Sequence, residues 1–177
     1  MMVSLDGYIE GPNHDLSWHN VDSEFNAFAI DQLNQAGSLV FGRRTYELMA
    51  SFWPSKAGQE GDPAVAKRMD SMPKVVVSDG LDKADWNNTR LISKNVAEEL
   101  KKLKSESKED LLVLGSNDLC VNLLEMELLD ELRLMVNPVV LGAGTTLLDG
   151  LKKPLKLLLV KNQRFDSDNM LLTYYPA

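Results

Sequence analysis

Short apolar runs alternate along this chain with segments of helical periodicity. Three of these runs, 39–42, 74–78 and 111–115, end in glycine or serine. A run of about four to six apolar residues bounded by turn residues is typical of a strand buried on both faces, as in a parallel sheet. The alternation of such runs with helices therefore predicts an α/β protein.

The order of the remaining segments refines this prediction. Residues 1–9 are strand-like, Asp22 caps a helix that ends at Gly37, and the polar stretch 55–62 is expected to be a loop. Further helices are predicted over 43–53, 63–72, 96–104 and 119–125, and further strands over 89–93, 132–141, 155–164 and 170–175. We predict one domain over 1–177, a mostly parallel central sheet with an antiparallel C-terminal edge, and helices on both faces.

Composition excludes several classes of function. The chain carries 19 Lys and Arg against 26 Asp and Glu, a net charge of -7, which argues against non-specific binding to nucleic acid or to an anionic membrane. No apolar run approaches the ~18 residues of a membrane span. Cys120 is the only cysteine, which fits a reducing compartment, so we expect a cytoplasmic protein.

Polar and cationic residues follow the predicted parallel strands at their carboxyl ends, where sheets of this kind bind ligands. Arg43, Arg44 and Thr45 follow the first of the three runs, Ser78 ends the second, and residues 115–117 follow the third. Each signal alone is more typical of a turn or of solvated surface. Their coincidence at one edge favours a nucleotide, because guanidinium groups, hydroxyls and helix N-termini all bind phosphate.

The chain resembles the dihydrofolate reductase-like superfamily over essentially its whole length. The segments that carry the resemblance are VSLDGYIEGPNHDLSW, FGRRTYE, KVVVSD, LLVLGSNDL and LLDELRLMVNPVVLGAGTTLL. They are most similar to the branch that includes the reductase domain of bacterial riboflavin biosynthesis. FGRRTYE resembles instead the segment of dihydrofolate reductases that holds the phosphates of NADPH.

This resemblance implies a three-layer dihydrofolate reductase-like fold and an NADPH-dependent reductase. The implied substrate is a small pteridine- or pyrimidine-like heterocycle, and 5-amino-6-(5-phosphoribosylamino)uracil is one candidate. The cofactor-binding residues implied are Gly42, Arg43, Arg44, Thr45, Ser78, Gly115, Ser116, Asn117 and Leu119. The first four would bind the phosphates, including the 2'-phosphate that distinguishes NADPH from NADH. Ser78 would lie near that phosphate or the adenine, and the others along the pyrophosphate and the nicotinamide half.

Hydride transfer to a C=N or C=O bond also needs a proton and a dry pocket. Asp22 is the candidate proton-relay or substrate-anchoring carboxylate, followed by Asp6. The alternative role for Asp22 is a helix N-cap, and for Asp6 the stabilisation of a turn. Trp18 and Phe25 are candidate apolar walls of the substrate pocket, although aromatic residues beside a helix start are more often part of a core.

Ser4 and Gly142 complete the candidate substrate site. Gly142 lies in the glycine-rich stretch 142–144, which suits a loop over a substrate or, equally, a bend between edge strands. His14 and His19 lie in a polar loop without a third histidine, so no metal site is predicted. The resemblance further implies a homodimer formed through the C-terminal strands.

Two positions depart from the relatives. Both branches commonly have a second glycine where this chain has Ser116, and the riboflavin reductases commonly have a glutamate where it has Leu114. A non-catalytic NADPH- or ligand-binding protein that retains the fold therefore stays open beside the reductase. A scaffold without a ligand is the third possibility, and it requires the phosphate-binding pattern to be accidental.

Overall fold

The computed structural model describes residues 1–177. Its strands are β1 Met2–Ser4, β2 Tyr8–Glu10, β3 Ala36–Gly42, β4 Lys74–Val77, β5 Thr89–Ile92, β6 Asp110–Val113, β7 Leu132–Asn137, β8 Thr145–Thr146, β9 Leu157–Arg164 and β10 Met170–Pro176. Its α-helices are α1 Ser23–Gln35, α2 Arg43–Phe52, α3 Lys56–Gly61, α4 Pro63–Ser71, α5 Val96–Glu106 and α6 Asn117–Glu125. A 3-10 turn covers Pro12–His14. None of the helices has the length and apolar character that crossing a membrane requires.

The chain forms two compact units. The central unit is Ala27–Leu119, and the terminal unit combines Met1–Asn26 with Cys120–Ala177. The central unit contains a four-stranded sheet in the order β5-β4-β3-β6, in which every neighbouring pair is parallel. Because the strands are parallel, all four carboxyl ends lie at the same edge.

The core of the central unit is built on β3. Leu39, Val40 and Phe41 are each no more than 2% exposed, the pattern of an inner strand covered on both faces. Phe41 packs in a cluster with Tyr46 and Trp86, and the Tyr46 hydroxyl accepts a hydrogen bond from the backbone N–H of Trp86. Burial of a side chain the size of Phe41 stabilises the fold by about 1.5–3 kcal/mol, so β3 is held firmly against its neighbours.

The helices that flank this strand begin at recognisable local signals. Gly42 has an extended backbone and is the N-cap of α2, so the helix starts directly where β3 ends. Asp62 caps α4 by accepting a bond from the N–H of Val65 at 3.0 Å, and Pro63 occupies the first helical position. At the other end of α4, the buried Lys74 ammonium donates to three carbonyls of the last turn and the residue after it.

The terminal unit has a mixed sheet in the order β1-β7-β10-β9. β1 and β7 are parallel, whereas β10 is antiparallel to both β7 and β9. The hairpin between β9 and β10 closes through a bond from the N–H of Phe165 to the carbonyl of Asn169 at 2.9 Å. The two-residue strand β8 pairs with β2 in a separate antiparallel ladder.

The predicted α/β class, with a parallel sheet and antiparallel C-terminal strands, is confirmed. The prediction of a single domain stays a prediction. Two element predictions near the N-terminus need correction. Residues 1–9 are not one strand, because Gly7 turns the chain at φ 89° and its N–H bonds to the Ser4 carbonyl at 3.0 Å. The first helix ends at Gln35, and Gly37 belongs to β3, where the register pairs Ala36 with Asp110.

Two further element predictions were wrong. Residues 55–62 are not a loop, because α3 forms there with Ser55 as its N-cap. The predicted strand 132–141 stops at Asn137, since the N–H of Val139 folds back to the Asn137 carbonyl at 2.8 Å. The following segment contains β8, which is two residues long and therefore too short to give a recognisable strand pattern in the sequence.

Candidate functional site

Three of the predicted segments meet at the carboxyl edge of the parallel sheet. β4, β3 and β6 are adjacent in the sheet, and they lead into Ser78, Arg43 and Gly115 respectively. The contacts between them are direct: the backbone N–H of Gly42 donates to the Ser116 hydroxyl at 2.8 Å. The segments 42–45, 78–80 and 115–117 therefore form one cluster within the central unit, as the strand order requires.

The loop after β6 packs closely on the start of α2. Gly115 and Ser116 both have left-handed backbones, with φ 59° and 61°. A Cβ on Gly115 would lie 3.3 Å from the Thr45 hydroxyl oxygen, and one on Gly42 would lie 3.1 Å from the Ser116 hydroxyl oxygen. Because neither glycine has a Cβ, the start of α2 and the loop after β6 can lie in close contact.

The N-terminus of α2 suits an anion. Its N-cap residue Gly42 supplies no side-chain hydrogen bond, so the helix start lacks the hydroxyl or carboxylate cap that would occupy its first amides. The first turn contains Arg43, Arg44 and Thr45 and no acidic residue. Helix dipole and side-chain charge thus have the same sign at this end.

Arg43 reaches from α2 toward the loop after β4. Its Nη1 donates to the carbonyl of Gly80 at 3.2 Å, and its Nε donates to a Glu47 carboxylate oxygen at 2.9 Å. The N–H of Gly80 in turn donates to the Ser78 hydroxyl at 3.2 Å. A guanidinium and a hydroxyl group are consequently gathered around the Ser78–Gly80 turn, and both are groups that bind phosphate oxygens.

The other predicted cofactor residues lie at the same edge with different exposure. Arg44 is exposed on the first turn of α2, and Thr45 is half-buried. Asn117 begins α6 and is 8% exposed, and the buried Leu119 lies two residues further along that helix. The first turn of α6 contains Asp118, so its charge favours an anion less than that of α2 does.

Ser4, Asp6 and Gly142 are joined by hydrogen bonds in the terminal unit. The Ser4 hydroxyl donates to Asp6 at 2.7 Å, and the N–H groups of Gly142 and Leu141 donate to the same carboxylate at 2.7 Å and 3.1 Å. The Ser4 hydroxyl and then the Gly142 amide lower the pKa of Asp6 to about 2. Asp6 is therefore ionised near neutral pH and fixes the 141–142 turn, which suits positioning better than proton donation.

Trp18, Asp22 and Phe25 lie on the segment that leads into α1. Asp22 accepts a bond from the N–H of Phe25 at 2.8 Å, so the N-cap role considered from the sequence is present. The Trp18 indole donates to the Asp15 carbonyl at 3.0 Å. The Trp18 and His19 rings pack edge to face, with their centroids 4.5 Å apart. Phe25 is half-buried.

The two histidines have separate surroundings. His14 bonds to the Glu10 carboxylate at 2.8 Å, and burial lowers the pKa of His19. No group of three or more His, Cys, Asp or Glu side chains is placed to hold a metal ion.

Two residues of the cluster were missed by sequence reasoning. Glu47 stands four residues after Arg43, the spacing at which helical side chains pair, so its contact was readable from FGRRTYE. Gly80 gave no usable signal, because its bond with Arg43 spans 37 residues and depends on which strands are neighbours.

Comparison with known proteins defines the family. The model of the RibD C-terminal domain matches residues 1–171. The chain belongs to the RibD C-terminal domain family. It is 30% identical over 175 residues to the uncharacterized protein YyaP of Bacillus subtilis (strain 168). The aligned region covers 99% of this chain and 92% of that protein.

Solved structures share the fold at low sequence identity. A putative riboflavin biosynthesis protein from Shewanella sp. PV-4 has a TM-score of 0.75 at 23% identity, with 100% of this chain and 96% of that chain covered. The diaminohydroxyphosphoribosylaminopyrimidine deaminase/5-amino-6-(5-phosphoribosylamino)uracil reductase of Thermotoga maritima has a TM-score of 0.70 at 16% identity. The match covers 99% of this chain and 55% of that chain. Dihydrofolate reductase from Enterococcus faecalis, complexed with NADP(H), has 0.61 at 15%, with 99% and 92% covered. The dihydrofolate reductase-like superfamily predicted from the sequence is confirmed.

Proposed function

We propose that this protein is an NADPH-dependent reductase of a small pteridine- or pyrimidine-like heterocycle. The observation that carries the proposal is the cluster at the carboxyl edge of the parallel sheet, where Arg43 bonds to Gly80 beside Ser78 and Ser116 bonds to Gly42. Membership of the RibD C-terminal domain family supports a reductase of this substrate class. Activity as a 5-amino-6-(5-phosphoribosylamino)uracil reductase is the more specific form of the proposal.

The donor set of this cluster fits a phosphorylated dinucleotide. In our proposal, Arg43 and Ser78 bind the 2'-phosphate, because the guanidinium lies on the turn that holds the Ser78 hydroxyl. Arg44, Thr45 and the amides of the first turn of α2 bind the pyrophosphate. Gly115, Ser116, Asn117 and Leu119 complete the cofactor site from α6 and the loop before it.

NADPH, when bound, supplies the hydride, and the residues of the chain supply orientation and proton transfer. Asp22 is the proposed proton-relay or substrate-anchoring carboxylate. Trp18 and Phe25 are proposed as apolar contacts of the substrate, and Ser4 and Gly142 as groups placed by Asp6. Asp6 itself acts in this proposal through the turn that it holds.

Titration of the purified protein with NADPH and NADH tests the cofactor assignment. Arg43→Ala is expected to weaken the binding of NADPH by about 10- to 100-fold and the binding of NADH much less, since a hydrogen bond to a charged group contributes ~1.5–3 kcal/mol. Arg44→Ala is expected to weaken NADPH as well. Equal losses for the two cofactors in Arg43→Ala would contradict the 2'-phosphate role.

Asp22→Asn tests the substrate side. Asparagine is as good an N-cap as aspartate, so this variant keeps the start of α1 while removing the carboxylate charge. We expect turnover to fall more than NADPH affinity. Unchanged turnover with a true substrate would leave Asp22 with the helix cap as its only role.

A non-catalytic NADPH- or ligand-binding protein is the second candidate function. It is favoured by the bond that Asp22 accepts from the Phe25 amide, because the N-cap of α1 is a structural role that requires no catalysis by this carboxylate. Oxidation of NADPH in the presence of dihydropterin, quinazoline and ribosylaminouracil compounds separates the two. Consumption of NADPH with one of these compounds identifies a reductase, whereas tight binding without consumption across the panel identifies a binder.

We also propose a homodimer that works in the cytoplasm. The single cysteine fits that compartment. The dimer is supported by β9, an edge strand on which Leu158, Leu159 and Val160 are 59%, 47% and 41% exposed. An exposed apolar edge strand is a natural surface for a second chain.

A further inference from the structure

Arg43 is held from two sides, by the backbone of Gly80 and by the side chain of Glu47. The Gly80 carbonyl accepts a bond from Nη1, and the Glu47 carboxylate accepts one from Nε. A Cβ on Gly80 would lie 2.8 Å from Nη1, so the guanidinium rests directly on this glycine. The contact with Gly80 directs the guanidinium to the turn that holds the Ser78 hydroxyl.

Glu47 adds a negative charge at the place where the proposed function needs a positive one. The pair joins residues four apart on α2, and the two side chains are 52% and 47% exposed. Such a half-exposed pair contributes little to stability. Its main consequence is electrostatic, because a carboxylate on Nε lowers the attraction that the same guanidinium offers to a second anion.

We propose that Glu47 is a specificity-determining residue, which competes for Arg43 and limits how strongly the site prefers a 2'-phosphorylated adenosine ligand over an unphosphorylated one. This inference rests on the proposed function, since it concerns the same phosphate site. Glu47 acts by occupying Nε and by repelling a phosphate dianion, while Gly80 keeps the guanidinium in place.

The experiment measures binding of 2',5'-ADP and 5'-AMP by isothermal titration calorimetry. Both probes lack the nicotinamide ring, so the result is independent of catalysis. Glu47→Gln keeps the size of the side chain and removes its charge. We expect 2',5'-ADP to bind about three- to tenfold more tightly to this variant than to the wild type, and 5'-AMP to bind equally, as expected for removing one like charge a few ångströms from a phosphate.

Glu60→Gln is the matched control. Glu60 pairs with Lys56 at 3.7 Å on α3, also four residues apart, so this variant makes the same change in net charge at another i,i+4 pair of the central unit. We expect Glu60→Gln to bind both probes like the wild type. A gain equal to that of Glu47→Gln would assign the effect to net charge and overturn the proposal.

The double variant Arg43→Ala/Glu47→Gln tests whether the effect passes through Arg43. The gain from Glu47→Gln should disappear when Arg43 is absent. A gain that persists in the Arg43→Ala background, or weaker binding of 2',5'-ADP to Glu47→Gln, would overturn the competition. Circular dichroism and thermal unfolding of each variant establish that it is folded.

The wild type separates failure of the inference from failure of the proposed function. If the wild type binds 2',5'-ADP no better than 5'-AMP, the proposed 2'-phosphate site is wrong and the role of Glu47 falls with it. If the wild type prefers 2',5'-ADP but Glu47→Gln binds like Glu60→Gln, only the inference fails.

Discussion

At the scale of single residues, Ser116 shows how a strained backbone and a hydrogen bond are combined. A left-handed conformation at φ 61° costs a residue with a Cβ about 1–2 kcal/mol relative to glycine. The hydroxyl of Ser116, in the loop after β6, accepts a bond from the amide of Gly42 at the end of β3. The bond offsets part of that cost and fixes the distance between the two loops.

Replacing Ser116 by alanine and by glycine separates these two terms. Ser116→Ala keeps the left-handed Cβ and loses the bond, so we expect it to lower the free energy of unfolding by about 1–2 kcal/mol. Ser116→Gly loses the bond but relieves the backbone, so its stability should lie between those of Ser116→Ala and the wild type. Urea unfolding measures both. Equal stability of all three proteins would show that the hydroxyl bond contributes nothing.

Lys74 is a charged residue buried in the core of the central unit. It is 1% exposed, its ammonium donates to the carbonyls of Met69, Asp70 and Met72, and it lies 4.6 Å from the centroid of the Trp86 ring. Burial lowers the pKa of Lys74 from 10.5 to about 8. Between these two values the unfolded chain binds more protons than the folded one, so the contribution of Lys74 to stability rises with pH.

Lys74→Met tests that pH dependence. At pH 7 we expect the variant to be destabilised by about 2–4 kcal/mol, because it leaves buried carbonyls without a donor. The difference in the free energy of unfolding between the wild type and Lys74→Met should then grow as the pH rises from about 8 toward 10. Denaturant titrations at several pH values measure it, and a difference that shrinks over this range would contradict the lowered pKa.

At the scale of secondary-structure elements, α3 shows tertiary packing overriding local preference. Its sequence KAGQEG has two glycines, each of which disfavours a helix by about 1 kcal/mol, and this composition is why a loop was predicted. Gly58 is buried, and a Cβ there would lie 2.4 Å from the Phe52 carbonyl oxygen. The glycine that weakens the helix in isolation is thus what allows it to pack against the end of α2.

The two glycines of α3 should respond in opposite ways to alanine. Gly58→Ala forces a methyl group into backbone atoms and should destabilise the protein by about 2–3 kcal/mol. Gly61→Ala meets nothing within 4 Å and should stabilise it by about 0.5–1 kcal/mol through higher helix propensity. Thermal unfolding of the two variants, which carry the same change three residues apart, decides this. A similar shift for both would mean that packing at Gly58 is not limiting.

At the scale of the whole molecule, the proposed dimer depends on the C-terminal edge strand. Leu158 and Tyr175 are paired across β9 and β10, so they share a face of the sheet, and they are 59% and 46% exposed. Two large apolar side chains on one face of an edge ladder are costly to leave in water.

Changing this edge should change the oligomeric state. We expect light scattering after gel filtration to give a dimer for the wild type and a monomer for Leu158→Lys, because a buried unpaired ammonium is unfavourable. Asn162→Lys, at another exposed position of β9, is the control and should remain dimeric. A wild type that is monomeric at all concentrations tested would refute the proposed dimer.

The patterns of apolar residues, together with capping and turn residues, were enough to predict the α/β class, the parallel strands and the starts of α2 and α4. The reason is that periodicity and capping depend on neighbours within a few residues. The pairing of Arg43 with Glu47 was missed, although its four-residue spacing on one helix is a local signal of the same kind. The dependence on near neighbours also explains why the positions of Ser78 and of residues 115–117 at the ends of strands could be anticipated.

Partners distant in sequence were decided only when the strands were ordered. The bonds from Arg43 to Gly80 and from Gly42 to Ser116 span 37 and 74 residues, and each exists because β4 and β6 lie on either side of β3. Likewise, the engagement of Asp6 with Gly142 spans 136 residues. Hydrogen-bond partners follow from which backbones are brought together, and that choice is made by packing of the whole sheet.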